Sequence, residues 1–343
     1  MLYVTTRNER DAYTVHRVLR ENRGPDGGFY VPFREPHFTQ EELDKLAGQG
    51  FNTNVAQVLN RLFNTKLTSW DVDFAIGRYA VRLEKLGHRV LAMETWHNLE
   101  SDFQRTVRNL AKVLGADGET EPGNWTEIGI RIAILFGVFG ELMSQGLADQ
   151  ENKVDIAVVS GEFSAPISAW YARRWGLPIG NIICTCNENG NLWDFICHGQ
   201  LKTGDLAVPT ITPEADVVVP QGLERLIYGC GGAAEVDRYL DCCRRGVSYY
   251  LEDAMLHRLR QGMYVTVSSQ KRILDTISSI YSTHRYVLSP YAALSLAGLQ
   301  DYRARTGESR RALVLVEKSP IHDALTVSKA LGITEDALKN YLD

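Results

Sequence analysis

The longest apolar stretch in the chain runs from Trp125 to Gln145, where apolar residues fall on every side of a helical projection and only Glu127, Arg131 and Glu141 carry charge. That pattern predicts a helix buried all round, the centre of a core rather than its surface. Residues 154–160, Val-Asp-Ile-Ala-Val-Val-Ser, are rich in β-branched side chains and read as a strand. This strand turns at Gly161-Glu162-Phe163-Ser164 into a helix over 165–175, Gly176-Leu177-Pro178 stops that helix, and 181–186 is the next strand. Strand, turn, helix and strand in that order build parallel sheets. Upstream, 89–93 reads as a strand, followed by a helix over 101–114 with Phe103, Val107, Leu110 and Leu114 at three- and four-residue spacing. Downstream, 292–305 reads as a helix and 312–316 as a buried strand, so the fold class is α/β.

Before residue 89 the pattern changes. Gly24-Pro25-Asp26-Gly27-Gly28 is a turn cluster ahead of the extended Phe29-Tyr30-Val31-Pro32. Thr39 with Glu42, and Thr68 with Asp71, fit capping boxes, and the apolar periodicity after the second continues to Leu86. Residues 1–88 are therefore expected to form an N-terminal helical region and 89–343 an α/β domain.

Composition narrows the class without naming it. The 343 residues are 44% hydrophobic and 23% charged, with a mean hydropathy of -0.20. They can bury a real core and lack the bias of disordered, collagen-like or coiled-coil chains. A balance of 37 basic against 42 acidic residues, net -5, with no long basic run, argues against a nucleic-acid partner. The charged start and the lack of about 18 consecutive apolar residues argue against secretion and membrane spanning, giving a cytoplasmic expectation. Six cysteines, at 184, 186, 197, 230, 242 and 243, match neither a zinc nor a redox spacing and are expected to be reduced thiols.

Local spacing offers little chemistry. The Gly161 turn is where a doubly wound fold binds anions, but Glu162 brings negative charge and Pro166 removes a donor. His97 and Glu100, near Glu94 and Asp102, have no second histidine cluster to complete a metal site, and His322-Asp323 is equally thin. Ser160, in Val-Val-Ser-Gly-Glu, lacks the first glycine of a nucleophile elbow. No metal is expected.

Several segments, in order, resemble the threonine synthase family. Tyr3-Val4-Thr5-Thr6-Arg7 is similar to the family's Tyr-x-Ser-Thr-Arg, and Pro25-Asp26-Gly27-Gly28-Phe29-Tyr30-Val31-Pro32 to its Pro-Asp-Gly-Gly-Leu-Tyr-Val-Pro. Gly161-Glu162-Phe163 and Trp170-Tyr171-Ala172-Arg173-Arg174-Trp175-Gly176-Leu177-Pro178 resemble Gly-Asn-Phe-Gly-Asn and Tyr-Tyr-Ala-Lys-Lys-Met-Gly-Leu-Pro. Asn187-Glu188-Asn189, Gly222-Leu223-Glu224-Arg225-Leu226 and Ser319-Pro320 extend the likeness over most of the chain. The resemblance implies a tryptophan-synthase-beta-like, fold type II pyridoxal-phosphate architecture, with 1–88 as the family's N-terminal region.

Four departures fall on the family's cofactor elements. In the register of His-Gly-Pro-Thr-x-Ala-Phe-Lys-Asp, His97 and Phe103 match and the Schiff-base lysine becomes Gln104; an amide nitrogen is not a nucleophile. Only about ten residues, near 115–123, separate Leu114 from Asn124, ordinary loop length, so the family's inserted small domain, which closes over the cofactor, is expected to be missing. The phosphate cradle becomes Gly161-Glu162-Phe163-Ser164-Ala165, and Ser-Thr-Ala-Ser-Pro, whose threonine faces the pyridine nitrogen, becomes Val316-Glu317-Lys318-Ser319-Pro320.

The resemblance with its departures implies a catalytically degenerate threonine synthase homologue acting as a binding or regulatory protein, with no cofactor bound. The vestigial cofactor residues are Gly161, Glu162, Phe163, Ser164, Ala165 and Glu317, and a residual cleft includes His97, Gln104, Asn187 and Ser319. A homo-oligomer or a partner protein such as a full-length threonine synthase would cover the face that the lost domain leaves. Two alternatives stand beside it: a pyridoxal-phosphate lyase using another amine, Lys318 or Lys112, and an amino-acid sensor in which Glu162, Ser164 and Glu317 read an ammonium group.

Overall fold

The computed structural model describes residues 1–77, 81–96, 102–116 and 121–342. Its central sheet has six strands in the spatial order Met263–Val267, Ile179–Cys186, Val154–Val159, Ala312–Val316, Val90–Glu94 and Arg82–Gly87. The first five are parallel and the last is antiparallel to its neighbour. These strands read as continuous apolar runs because helices cover both faces. Ile156, Val158, Ile182, Cys184 and Leu313 point into one core, whereas their alternates Ala157, Ile183, Ala312 and Val314 point into another.

The first core is organised by the Trp125–Ser144 helix, seventeen of whose twenty residues are buried. The Ser164–Arg174 helix packs beside it. The second core lies under the Gln270–His284 and Pro290–Thr306 helices. Strand, turn, helix and strand from Val154 to Cys186 appear as expected. So do the 312–316 strand and, within two residues at each end, the helices expected over 101–114 and 292–305.

The N-terminal region folds as a three-stranded antiparallel sheet of Leu2–Thr5, Tyr13–Thr14 and Tyr30–Pro32, followed by helices Gln40–Ala47, Phe51–Phe63 and Ser69–Ile76. Both capping boxes form: Thr39 accepts from the Glu42 amide, Thr68 from the Asp71 amide, and each acid accepts in return. The periodicity that continues to Leu86 is not one helix, however. The helix stops at Gly77, whose φ of 78° is left-handed, and Arg82–Gly87 is instead an edge strand paired with Val90–Glu94. Leu83 packs towards the first core and Leu86 into the second, so their three-residue spacing serves two faces of a strand.

A polar bolt fastens this region to the start of the Leu223–Arg245 helical segment, which is broken by a kink at Gly232, whose φ is 70°. Glu224 receives the Thr6 hydroxyl and both Nε and NH2 of Arg7, at 3.1 and 2.9 Å. Arg225, fully buried, donates to the carbonyls of Tyr30 and Gly123 and lies over the rings of Phe29 and Trp125. Burial pulls its guanidinium down to about 10. The Gly123 contact is also the anchor of the short connection between the Phe103–Val113 and Trp125–Ser144 helices. Asn22 holds the same connection, accepting from the Glu121 amide at 3.2 Å and from the Asn124 side chain at 2.7 Å.

Candidate functional site

The parallel strands end together at Glu94, Val159, Cys186, Val267 and Val316. Open parallel sheets bind ligands at that edge, outside the carboxyl ends of their strands. A cleft of about 600 Å³ opens there. Its floor is Val158, Val159 and Leu315, and its walls come from the start of the Phe103–Val113 helix, the Gly161–Ala165 turn, the 213–217 segment and Glu317-Lys318.

Gln104 lies in the first turn of the Phe103–Val113 helix and lines the cleft. Asp102 caps that helix, accepting from the Arg105 amide at 3.0 Å. The Phe103 amide donates to the Glu317 carbonyl at 2.8 Å, which fixes this turn against the end of the Ala312–Val316 strand. Lys112, in the last turn of the same helix, is exposed and does not line the cleft.

Arg131, also in the lining, is buried between two carboxylates. Its Nε donates to Glu127 at 2.7 Å, and NH1 and NH2 both donate to Glu317, the second at 3.2 Å. Burial works against its charge, and the attraction of Glu317 and Glu127 outweighs burial, holding the guanidinium above its ordinary value. The ring of Phe103 covers it at 4.3 Å. Glu127 also accepts from the Gly123 amide at 2.6 Å, and its own amide is capped by Asn124 at 2.8 Å. The signal for this pair was a Glu and an Arg four residues apart inside an otherwise apolar helix.

The Gly161–Ala165 turn is tight. Gly161 has φ 40° and the fully buried Phe163 has φ 75°, uncommon for a bulky side chain. The Phe163 amide closes the turn onto the Ser160 carbonyl at 2.8 Å. Glu162 is pinned to a neighbouring loop: its carboxylate accepts from the Gln221 amide and its carbonyl from Gly222, both at 3.1 Å. Gly161, Glu162, Ser164 and Ala165 line the cleft, while Phe163 sits in the core behind them.

Lys318 also lines the cleft, ion-paired with Glu214 from the opposite wall and lying 5.2 Å from the Tyr291 ring centre. Spacing gave no sign of Glu214 or Asp216, because tertiary contacts place their segment. Asn187, fully buried and not part of the lining, does this: its amide nitrogen lies 2.7 Å from Asp216 and 2.9 Å from the Thr210 hydroxyl. Ser319 is likewise buried behind the wall, capping a short turn by accepting from the Ile321 amide at 3.4 Å. His97 and Glu100 lie outside the described residues.

Among the described residues no group of three or more His, Cys, Asp or Glu is arranged to hold a metal, and no helix is long and apolar enough to cross a membrane. The six cysteines are free thiols. Burial pushes Cys186 up to about 11, so it is inert as a nucleophile.

The α/β fold is shared with solved threonine synthases. Two solved structures align over nearly the whole chain: pyridoxal-phosphate-bound threonine synthase from Brucella melitensis, with a TM-score of 0.84, 19% identity and coverage of 97% of this chain and 92% of that one; and threonine synthase from yeast, with a TM-score of 0.83, 15% identity and coverage of 96% and 90%. Residues 2–78 match the family described as "Threonine synthase N terminus". Human threonine synthase-like 1 is 28% identical over 179 residues, which is 50% of this chain but only 24% of that protein's length. Pseudomonas aeruginosa threonine synthase is 21% identical over 401 residues, covering 88% of this chain and 85% of that one. These likenesses support the threonine synthase family.

Proposed function

We propose that this chain is a catalytically degenerate, threonine synthase-like binding protein of the cytoplasm, in which the reaction cleft persists without its reactive amine. The observation that carries the reading is Gln104, an amide at the helix turn where the resemblance puts the family's Schiff-base lysine. The residues around it do not fit an enzyme-held pyridoxal phosphate either. Glu317 is engaged by Arg131 rather than free for a pyridinium, and Glu162 adds a carboxylate to the turn that would cradle a phosphate. Loss of the inserted domain is part of the proposal. The Pseudomonas alignment spans 401 positions while using 88% of 343 residues, or about 302, so roughly a hundred positions have no counterpart here.

Pyridoxal-phosphate titration, borohydride reduction and intact mass test the reading, with Gln104→Lys run alongside. The expected result is no stoichiometric adduct on the natural protein. An adduct on the variant alone would further mean that the old cofactor pocket persists. A second reading, a lyase using another amine, is favoured by the position of Lys318 in the cleft wall. A reducible adduct mapped to Lys318 would replace the first reading with this one.

The proposal includes a second copy of the chain, or a full-length threonine synthase, as partner. Trp70 and Phe74, one turn apart on the Ser69–Ile76 helix, are 78% and 91% exposed, which is the kind of aromatic pair that association covers. Light scattering should report a mass above 38.5 kDa for the purified chain alone or with such an enzyme; a monomer in both samples rules partnership out.

A further inference from the structure

We infer that the cleft selects a small organic amine and turns away phosphorylated ligands, an inference that rests on the reading of the cleft as a non-catalytic binding site. The cavity of about 600 Å³ is large enough for a ligand of a dozen or so heavy atoms. Among the described residues its lining holds six carboxylates and two cations. The cations are already matched: Arg131 by Glu127 and Glu317, Lys318 by Glu214. That leaves Asp102, Glu162 and Asp216 in addition to the surplus charge of the Arg131 triad.

Only neutral groups among the described residues donate to those three. Asp102 receives the Arg105 amide, Glu162 the Gln221 amide, and Asp216 the Thr210 hydroxyl with the Asn187 and Asn189 side chains. Neutral donors hold a carboxylate in place without cancelling its charge, so the described lining carries a formal charge near -4 in a partly desolvated setting. A phosphate entering this field is repelled, and the two cations of the described lining are already paired with its own carboxylates. An ammonium is attracted, and Phe103, Pro122, Val217 and Leu315 offer apolar surface for the body of the molecule that carries it.

Calorimetric titration of the full chain with phenethylamine, 2-phenylethanol, L-phenylalanine, inorganic phosphate and pyridoxal phosphate tests this. The amine should bind roughly tenfold more tightly than the matched alcohol, and higher salt should narrow the gap. Glu162→Gln keeps an oxygen for the Gln221 amide while removing the charge. It should weaken the amine roughly fivefold and leave the alcohol unchanged. Equal affinity for amine and alcohol, tighter binding of phosphate or non-covalent pyridoxal phosphate, or no binding of any probe overturns the inference and leaves the non-catalytic reading standing. Tighter binding of L-phenylalanine than of phenethylamine overturns it in favour of an amino-acid ligand. A borohydride-reducible adduct is a separate result, which removes the non-catalytic reading itself.

Discussion

Arg131→Met is expected to destabilise the chain by about 3–5 kcal/mol, read as a lower midpoint in chemical denaturation. The guanidinium side chain is 7% exposed and its partners Glu127 and Glu317 are 2% and 29% exposed. Removing the cation leaves two carboxylates close together, one of them fully enclosed, with no positive charge between them. The partial exposure of Glu317 lets solvent screen its share, which favours the lower end of the range. Methionine fills much of the vacated volume under the Phe103 ring, so the loss reports charge rather than a cavity.

Two further measurements separate that cause from general damage. The triple change Arg131→Met, Glu127→Gln, Glu317→Gln should recover most of the loss. Neutral partners no longer require a cation, and the amide introduced by Glu127→Gln retains an oxygen for the Gly123 amide. The deficit of the single variant should also shrink as pH falls. Protonating a carboxyl relieves the repulsion in the folded state more than in the unfolded chain, so the folded state binds the extra proton and gains stability towards acid. A single-variant deficit below about 1 kcal/mol would mean that the triad sits in a far wetter environment than its burial implies.

The elements legible in the sequence are those whose pattern and neighbours agree. The Trp125–Ser144 helix announces itself because it is apolar on all sides, and the Val154–Cys186 unit because strand, turn and helix each have local signals. Capping boxes at Thr39 and Thr68 were readable because the chemistry spans only three residues. The Arg82–Gly87 strand was not, since its partner is an edge left open by the sheet and nothing local marks that edge.

The site divides the same way. Gln104 and Glu317 could be named from the register of the family resemblance, and the fold brings both to one cleft. Arg131 was visible as a charge inside an apolar helix, yet its second partner lies 186 residues away and no spacing rule connects them. Glu214 and Asp216 sit in a segment without periodicity that is held by Asn187, so their place in the wall depends on a tertiary contact. Asn187 and Ser319 carry matching motif residues, but their side chains brace the segments around the cleft, Asn187 through the Thr210 and Asp216 side chains and Ser319 through the Ile321 amide, instead of lining its surface.

Gly298→Ala should cost about 3 kcal/mol, although alanine is the better helix former by roughly 1 kcal/mol and would stabilise an exposed site. Gly298 lies in the Pro290–Thr306 helix where it crosses the sheet above Thr185 and Thr266, which face each other across neighbouring parallel strands. Those hydroxyls are hydrogen-bonded at 3.2 Å in a fully enclosed layer. A Cβ at position 298 would overlap the Thr185 hydroxyl and come within 2.5 Å of the Thr266 hydroxyl and 2.8 Å of the Thr185 methyl. Either the helix lifts from the sheet, loosening Leu294, Leu296 and Leu299 in the second core, or both threonines leave their rotamers and their hydrogen bond. Thr185→Ala in the Gly298→Ala background removes both atoms that the new methyl meets on that residue and should return a substantial part of the loss, whereas Thr185→Ser keeps the hydroxyl and should return little. Equal rescue by alanine and serine would place the cost in the helix backbone and not in this contact.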